Sequence, residues 1–307
     1  MFTLFLFKVV TGDFNSGQID LYDSINNVKV KSFTGFHSDR IIFLKYLPLN
    51  GYVVSSSADT TVNIWNPNTG ESIQKFTRHT NWVYGLDQIE DDVIVSVSWD
   101  KAIQIWKIST GEIIKTINAG GGIYVVKVLS NQFQQLIACG LATKENNIKI
   151  FNYTSGELVK TLNGHTNLVT TIEILNEQFV ASGGFDFRVN IWDFTNYSIK
   201  YTLIGHENRI YCVKRLSSNL IASGDINGVI IIWNWLNGQL IYTLKEHTAQ
   251  LYMTSLDLYD EQTLISDSED MTIKFWNISN GELMQSINTT VPKDAIVMLK
   301  TGKTIFI

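Results

Sequence analysis

One sentence pattern, written several times over, limits what this chain can fold into. The segment SVSWDKAIQIWK (96–107) has relatives at SSSADTTVNIWN (55–66), SGGFDFRVNIWD (182–193), SGDINGVIIIWN (223–234) and SDSEDMTIKFWN (266–277). Trp65, Trp106, Trp192, Trp233 and Trp276 close these five, while IKIFN ending near Phe151 and IDLYD around Tyr22 are weaker members with an aromatic substitute. Successive intervals are 43, 41, 45, 41, 41 and 43 residues, so seven units fill the 307 residues. Units of this length cannot bury an apolar face alone and must stack on their neighbours.

Each unit has the same internal order. A histidine comes first, as in RHTNWVYGL, GHTNLVTTI, GHENRIYCV and EHTAQLYMT, and an alternating apolar strand follows. A second strand carries Ser, a tight turn carries Asp, and a third strand ends in Trp. Turns such as NTGE (68–71), STGE (109–112), TSGE (154–157) and SNGE (279–282) then open a fourth strand, with glycine taking the positive φ at little cost. Val, Ile and aromatic residues dominate the short runs, which suits strands. Four short antiparallel strands in about 40 residues describe a propeller blade.

Over essentially its whole length the chain resembles the WD40 repeat family, through the Gly-His, Ser-x-x-x-Asp and Ile-Trp-Asp/Asn elements and their period. The resemblance implies an all-β fold, a seven-bladed β-propeller of four-stranded antiparallel blades, acting as a binding platform without catalysis of its own. The chain then reads as one domain, with units at about 35–77, 78–118, 119–163, 164–204, 205–245 and 246–288. A closing blade would be shared by 1–34 and 289–307, so that both ends complete the ring. Its second strand could come from FKVVTGDF (7–14) or from KTIFI (303–307), two candidates for one place.

A histidine, a serine and an aspartate in one window invite a catalytic reading. A triad is needed once, however, and this constellation occurs five times. The resemblance makes the sets structural, tying the loop before the first strand to the turn and the third strand. They are His37, Ser55, Asp59, Trp65; His79, Ser96, Asp100, Trp106; His165, Ser182, Asp186, Trp192; His206, Ser223, Asn227, Trp233; and His247, Ser266, Asp270, Trp276. Asn227 stands where the others have Asp. A buried imidazole and carboxylate need partners, and a closed network supplies them. The unit at 119–163 lacks the His and the Trp, and its connection LATKENN (141–147) is longer, either through drift or as a contact loop.

Composition excludes several classes. The net charge is −5 with Lys and Arg scattered, so no footprint for nucleic acid or an anionic membrane is read. Two isolated cysteines, Cys139 and Cys212, make neither a disulfide framework nor metal spacing. No metal and no cofactor is expected. The GKT of LKTGKT (299–304) fails as a phosphate loop, because Val297 stands where a glycine is required. The apolar start MFTLFLFKVV lacks a basic n-region and a small-residue cleavage site, and no apolar run approaches the length of a membrane span. Four Asn-x-Ser/Thr sequons, at Asn152, Asn196, Asn277 and Asn288, are chance products of an Asn-rich chain. The cytoplasm is the expected compartment, with the nucleus as the alternative.

In the family, residues flanking the start of the first strand, and the one before the turn Asp, face partners around the central channel. Carried over by position these include Arg40, Trp82, Tyr84, Trp99, Tyr124, Phe185, Arg209, Tyr211, Gln250 and Tyr252. Trp, Tyr and Arg dominate interface hot spots. Trp82, Tyr84 and Trp99 could form an aromatic cage for a cationic side chain. The expectation is a non-enzymatic scaffold, a monomeric propeller within a larger complex, for protein or peptide partners. A substrate receptor of a ubiquitin-ligase assembly and a histone-tail reader share the fold as alternatives. A propeller enzyme would need a spare catalytic His, and every His is committed to a set.

Overall fold

The computed structural model describes residues 8–13, 16–23, 28–129, 135–142, 147–252, 255–289 and 293–299. Within them lie seven four-stranded antiparallel sheets, one per blade. Blades one to six span 41–76, 83–118, 122–162, 169–204, 210–244 and 256–288, each built from consecutive strands. The seventh combines Lys293–Leu299, Lys8–Asp13, Ile19–Asp23 and Val28–Phe33, in that order from the channel outward. Val10 faces Val297 and Leu21 on its two sides, so Lys8–Asp13 takes the second position and the two ends of the ring are stitched by backbone pairing. The competing segment 303–307 lies outside the described residues, as do the GKT at 302–304 and residues 143–146 of the long connection. No helix among the described residues is long and apolar enough to cross a membrane.

The core is distributed between blades, because each sheet buries both faces against its neighbours. The burial patterns show it: third strands such as Val62–Trp65 are buried at every position, whereas fourth strands such as Leu158–Leu162 are exposed until their last residues. Trp65, Trp106, Trp192, Trp233, Trp235 and Trp276 are among the largest fully buried side chains. The end of the preceding blade packs on the indole, as Phe76 does at 4.7 Å from Trp106 and Phe33 at 4.9 Å from Trp65. This explains the glycine before His165 and His206. A Cβ on Gly164 or Gly205 would come within 2.8 Å of the far edge of Trp192 or Trp233.

Two irregularities recur. The pairing of third and fourth strands slips by one residue beside the Trp, at Ile64/Trp65, Ile105/Trp106, Ile191/Trp192, Ile232/Trp233 and Phe275/Trp276. The pairing of first and second strands slips in blades one to five, leaving Ile42, Tyr84, Tyr124, Thr170 and Tyr211 as the extra residues. A bulge of this kind bends the strand and re-aims the unpaired side chain.

Candidate functional site

The recurrent polar sets occupy each blade between its entry loop and its turn. His79 Nδ1 lies 2.7 Å from Asp100, His79 Nε2 lies 2.8 Å from Ser96 Oγ, and Trp106 Nε1 donates to the same Oγ at 2.8 Å. Blade four repeats this through His165, Ser182, Asp186 and Trp192, and blade six through His247, Ser266, Asp270 and Trp276. The carboxylate also accepts backbone N–H groups, as Asp100 does from Thr80 and Ala102. Burial alone would raise the Asp270 carboxyl, but His247, Thr272 and the Thr248 N–H hold it down at about 2. Burial pushes the His247 imidazole below its usual range although Asp270 pulls it up. The pair is a neutral imidazole facing a carboxylate.

Two sets depart from the sequence expectation. In blade five the carboxylate is Asp225, not Asn227: His206 Nδ1 lies 2.7 Å from Asp225, which also accepts from the N–H groups of Asn227 and Val229. Asp225 occupies the place held by Ser57, Ser98 and Ser268 in other blades, two residues before the turn aspartate, so the acid has moved along the chain and still reaches the ring. Asn227 accepts instead from the Asn208 amide at 3.1 Å. In blade one His37 reaches Ser55 at 2.8 Å and Asp59 at 3.2 Å, but Trp65 Nε1 is buried with no hydrogen-bond partner. Ser55 Oγ is oriented toward the Asn63 carbonyl, at 3.3 Å.

The channel mouth is built on the bulged residues. In five blades the turn residue donates its backbone N–H to the carbonyl of the residue flanking the first strand: Ala58 to Arg40, Trp99 to Trp82, Phe185 to Leu168, Ile226 to Arg209 and Glu269 to Gln250. That bond sets turn and strand side chains next to each other on one rim. The aromatics then run as a chain of ring contacts: Trp82 to Tyr84 at 6.0 Å, Tyr84 to Tyr124 at 4.6 Å, Tyr124 to Phe185 at 6.2 Å, Phe185 to Tyr211 at 5.1 Å and Tyr211 to Tyr252 at 5.6 Å. Trp99 joins from outside, 5.9 Å from Tyr124 and 6.3 Å from Tyr84. Arg40 stacks over Tyr252 at 4.6 Å and Arg209 over Phe185 at 4.8 Å.

Trp82 and Trp99 are each 42% exposed, Tyr84, Tyr211 and Tyr252 are half-buried, and Tyr124 is buried beneath its neighbours. A cavity of about 260 Å³ opens between them, lined by Arg40, Ile42, Trp82, Tyr84, Tyr124, Tyr211, Gln250 and Tyr252. Phe185 and Trp99 stand just outside its lining. Blade three, whose histidine is missing, contributes a low glycine lip: Gly122 lies under Trp99, where a Cβ would come within 3.2 Å of the indole.

Deeper in the channel lies a feature the sequence reading missed. At one position of successive first strands stand Lys45, Asp87, Lys127, Glu173, Lys214 and Asp257, alternating in sign around the ring. Lys45 bonds Asp87, Lys127 bonds Glu173 at 2.9 Å, and Lys214 bonds Asp257 at 2.7 Å. Each acid also accepts a backbone N–H of the following blade, Asp87 from Val128, Glu173 from Arg215 and Asp257 from Met298. Burial opposes charge on Asp87, but Lys45 and Lys127 outweigh it and hold the carboxyl below its usual range. Seven places cannot alternate perfectly, and by register the odd one holds the neutral Val297, whose neighbour Met298 supplies the N–H that Asp257 accepts. The visible signal was a Lys/Asp alternation at intervals close to the repeat length.

Among the described residues no three His, Cys, Asp or Glu side chains converge as metal ligands would. Five segments, 27–66, 70–107, 156–193, 197–234 and 238–277, match the family model described as the WD domain, G-beta repeat, and together cover more than half of the chain. An 80-residue stretch is 28% identical to the DENN domain and WD repeat-containing protein SCD1 of Arabidopsis thaliana, covering 26% of this chain and 7% of that protein.

Proposed function

The chain belongs to the WD40 repeat family, and from that premise we propose that it is a non-enzymatic scaffold whose aromatic and arginine rim around the channel binds peptide or protein partners. One observation carries the reading. Two tryptophans remain 42% exposed on a rim where tyrosines and arginines are already held in place by mutual stacking. Large aromatic surface ordered before binding loses little further freedom on association, which is where hot-spot affinity comes from. The absence of catalysis is part of the proposal. All five histidines are held by a Ser and an Asp of their own blade, which leaves none to move a proton for a substrate.

The test is comparative affinity purification from the native cell, the wild type against Trp82→Ala/Tyr84→Ala/Tyr252→Ala, after circular dichroism and a melting curve have verified folding. A small set of partners lost with the triple variant is the expected outcome. An unchanged partner set refutes the rim and turns attention to the opposite face and the blade sides.

A further inference from the structure

We propose that Asn163 is a site of spontaneous modification, where the Asn163–Gly164 pair loses ammonia and passes to isoaspartate, and that the product loosens the polar set of blade four. The step is intramolecular and needs only water from outside. The Gly164 backbone nitrogen gives up its proton and bonds to the side-chain carbonyl carbon of Asn163. The amide C–N bond breaks and ammonia leaves. Water then opens the cyclic imide, at the backbone carbonyl to give isoaspartate or at the side-chain carbonyl to give aspartate.

The sequence holds five Asn-Gly pairs, at 50–51, 163–164, 227–228, 237–238 and 280–281. Glycine favours the reaction because no side chain shields its nitrogen. In four of the pairs the fold restrains both reacting groups. Gly51, Gly228, Gly238 and Gly281 sit in turns at positive φ, and each donates its N–H to a backbone carbonyl, of Leu47, Asp225, Asn234 and Asn277, at 2.8 to 3.1 Å. Their asparagine side chains are tied as well. Asn50 accepts from Gln88 and donates to the Asp91 carbonyl, and Asn227 accepts from Asn208. Asn237 accepts from the Gln239 N–H, and Asn280 bonds Glu282 through both ends of its amide.

Asn163 differs on each count. It is exposed and lies outside the strands, in the connection from Leu158–Leu162 to Val169–Ile174. Among the described residues, neither its amide nor the Gly164 N–H has a hydrogen-bond partner. The attack therefore needs no bond to be broken first, whereas in the other pairs a local opening must precede it.

The same place is sensitive to the product. A Cβ on Gly164 would come within 2.4 Å of Ile199 and 2.8 Å of Trp192, so packing requires the glycine. The asparagine is not required in this way, since Ile204 stands before Gly205 at the next blade and is 72% exposed. Isoaspartate carries the chain through its side chain and adds a backbone atom just ahead of Gly164 and His165. His165 is held by Asp186 at 2.9 Å and Ser182 at 2.7 Å, and Ser182 accepts from Trp192. A lengthened chain entering so close a contact pushes on that set.

The test holds the intact chain in warm, mildly alkaline buffer and maps its peptides over time by mass spectrometry, with fragmentation that tells isoaspartate from aspartate. In the folded protein Asn163 should convert about tenfold or more faster than Asn50, Asn227, Asn237 or Asn280, the effect of breaking one or two hydrogen bonds. In guanidinium the five rates should come together. A folded protein in which another of these asparagines leads, or in which Asn163 is no faster than the rest, overturns the site. The isoaspartate form, separated by ion exchange, should melt about 2 °C or more below the fresh protein. Asn163→Asp, which adds the charge without the extra backbone atom, and Asn163→Gln should both melt like the wild type. An isoaspartate form that melts with the wild type, or no lower than Asn163→Asp, overturns the loosening of blade four.

Discussion

The polar sets make a comparison possible inside one molecule, because blade one lacks a bond that blade two has. Ser96 Oγ serves two buried partners, His79 Nε2 and Trp106 Nε1, both at 2.8 Å. Ser96→Ala strands both, and an orphaned buried polar group costs about 1–3 kcal/mol, so the expected loss is about 2–6 kcal/mol. Ser55→Ala strands only His37 Nε2, because Trp65 Nε1 has no partner to lose. Its expected cost is about 1–3 kcal/mol. With an unfolding entropy of about 2.1 cal/mol/K per residue, each kcal/mol moves the melting temperature of a chain of 307 residues by about 1.5 °C. The expected falls are then about 3–9 °C for Ser96→Ala and about 2–5 °C for Ser55→Ala.

Thermal melts followed by circular dichroism give the ranking, and double-mutant cycles give the cause. Ser96→Ala with Trp106→Phe should show a coupling of about 1 kcal/mol or more, while Ser55→Ala with Trp65→Phe should show a coupling near zero. Equal couplings in the two blades would refute the reasoning, because the indole bond would then not be what separates them.

The remaining predictions follow from the same geometry. His247, Asp270 and Asp59 all bind protons less readily in the folded protein than in the unfolded chain, so acid favours unfolding. Stability should be full above about pH 7, fall as pH drops through about 6.5 where an unfolded histidine charges, and fall again from about 4 toward 2. A melting temperature that rises between pH 7 and pH 5 would contradict this, and Asp270→Asn should flatten the lower stage. In the channel belt, Asp87→Ala frees both Lys45 and the Val128 N–H, and should cost about 3 kcal/mol, more than Lys45→Ala, by urea titration. Trp106→Ala should destabilise by about 3–5 kcal/mol, whereas the exposed Trp82→Ala should change stability by less than about 1 kcal/mol and act on binding alone. Similar melting curves for these two variants would mean that the rim tryptophan is part of the core.

The blades were legible because their chemistry needs particular residue types at particular places. An indole N–H, a serine hydroxyl and an imidazole satisfy one another, and five copies of that set show as text. Position alone misled where the chemistry could be met another way: Asp225 reaches His206 as well as an acid at 227 would, and a template keyed to one column looks past it. The missing bond of Trp65 leaves no trace in the sequence, because the residue types are unchanged and only their orientation differs. The rim residues were readable as a set of types. Their continuous stacking was not, because it depends on bulges that put Tyr84, Tyr124 and Tyr211 out of register with the partner strand. The alternating belt was written plainly at one place per repeat, but lysines and acids on a strand read as solvated when the neighbouring blades are not yet in view.

The seam in the seventh blade also has a history in time. Lys8–Asp13 must pair with Lys293–Leu299, two segments about 280 residues apart, and a ribosome adding about 5–20 residues per second separates their emergence by about 15–60 s. Throughout that interval the early strand presents an unpaired edge of Val9, Val10 and Thr11 to whatever else is in the cell. The nascent protein is therefore an arc with one waiting edge, and the seam closes only when Lys293–Leu299 is delivered to it.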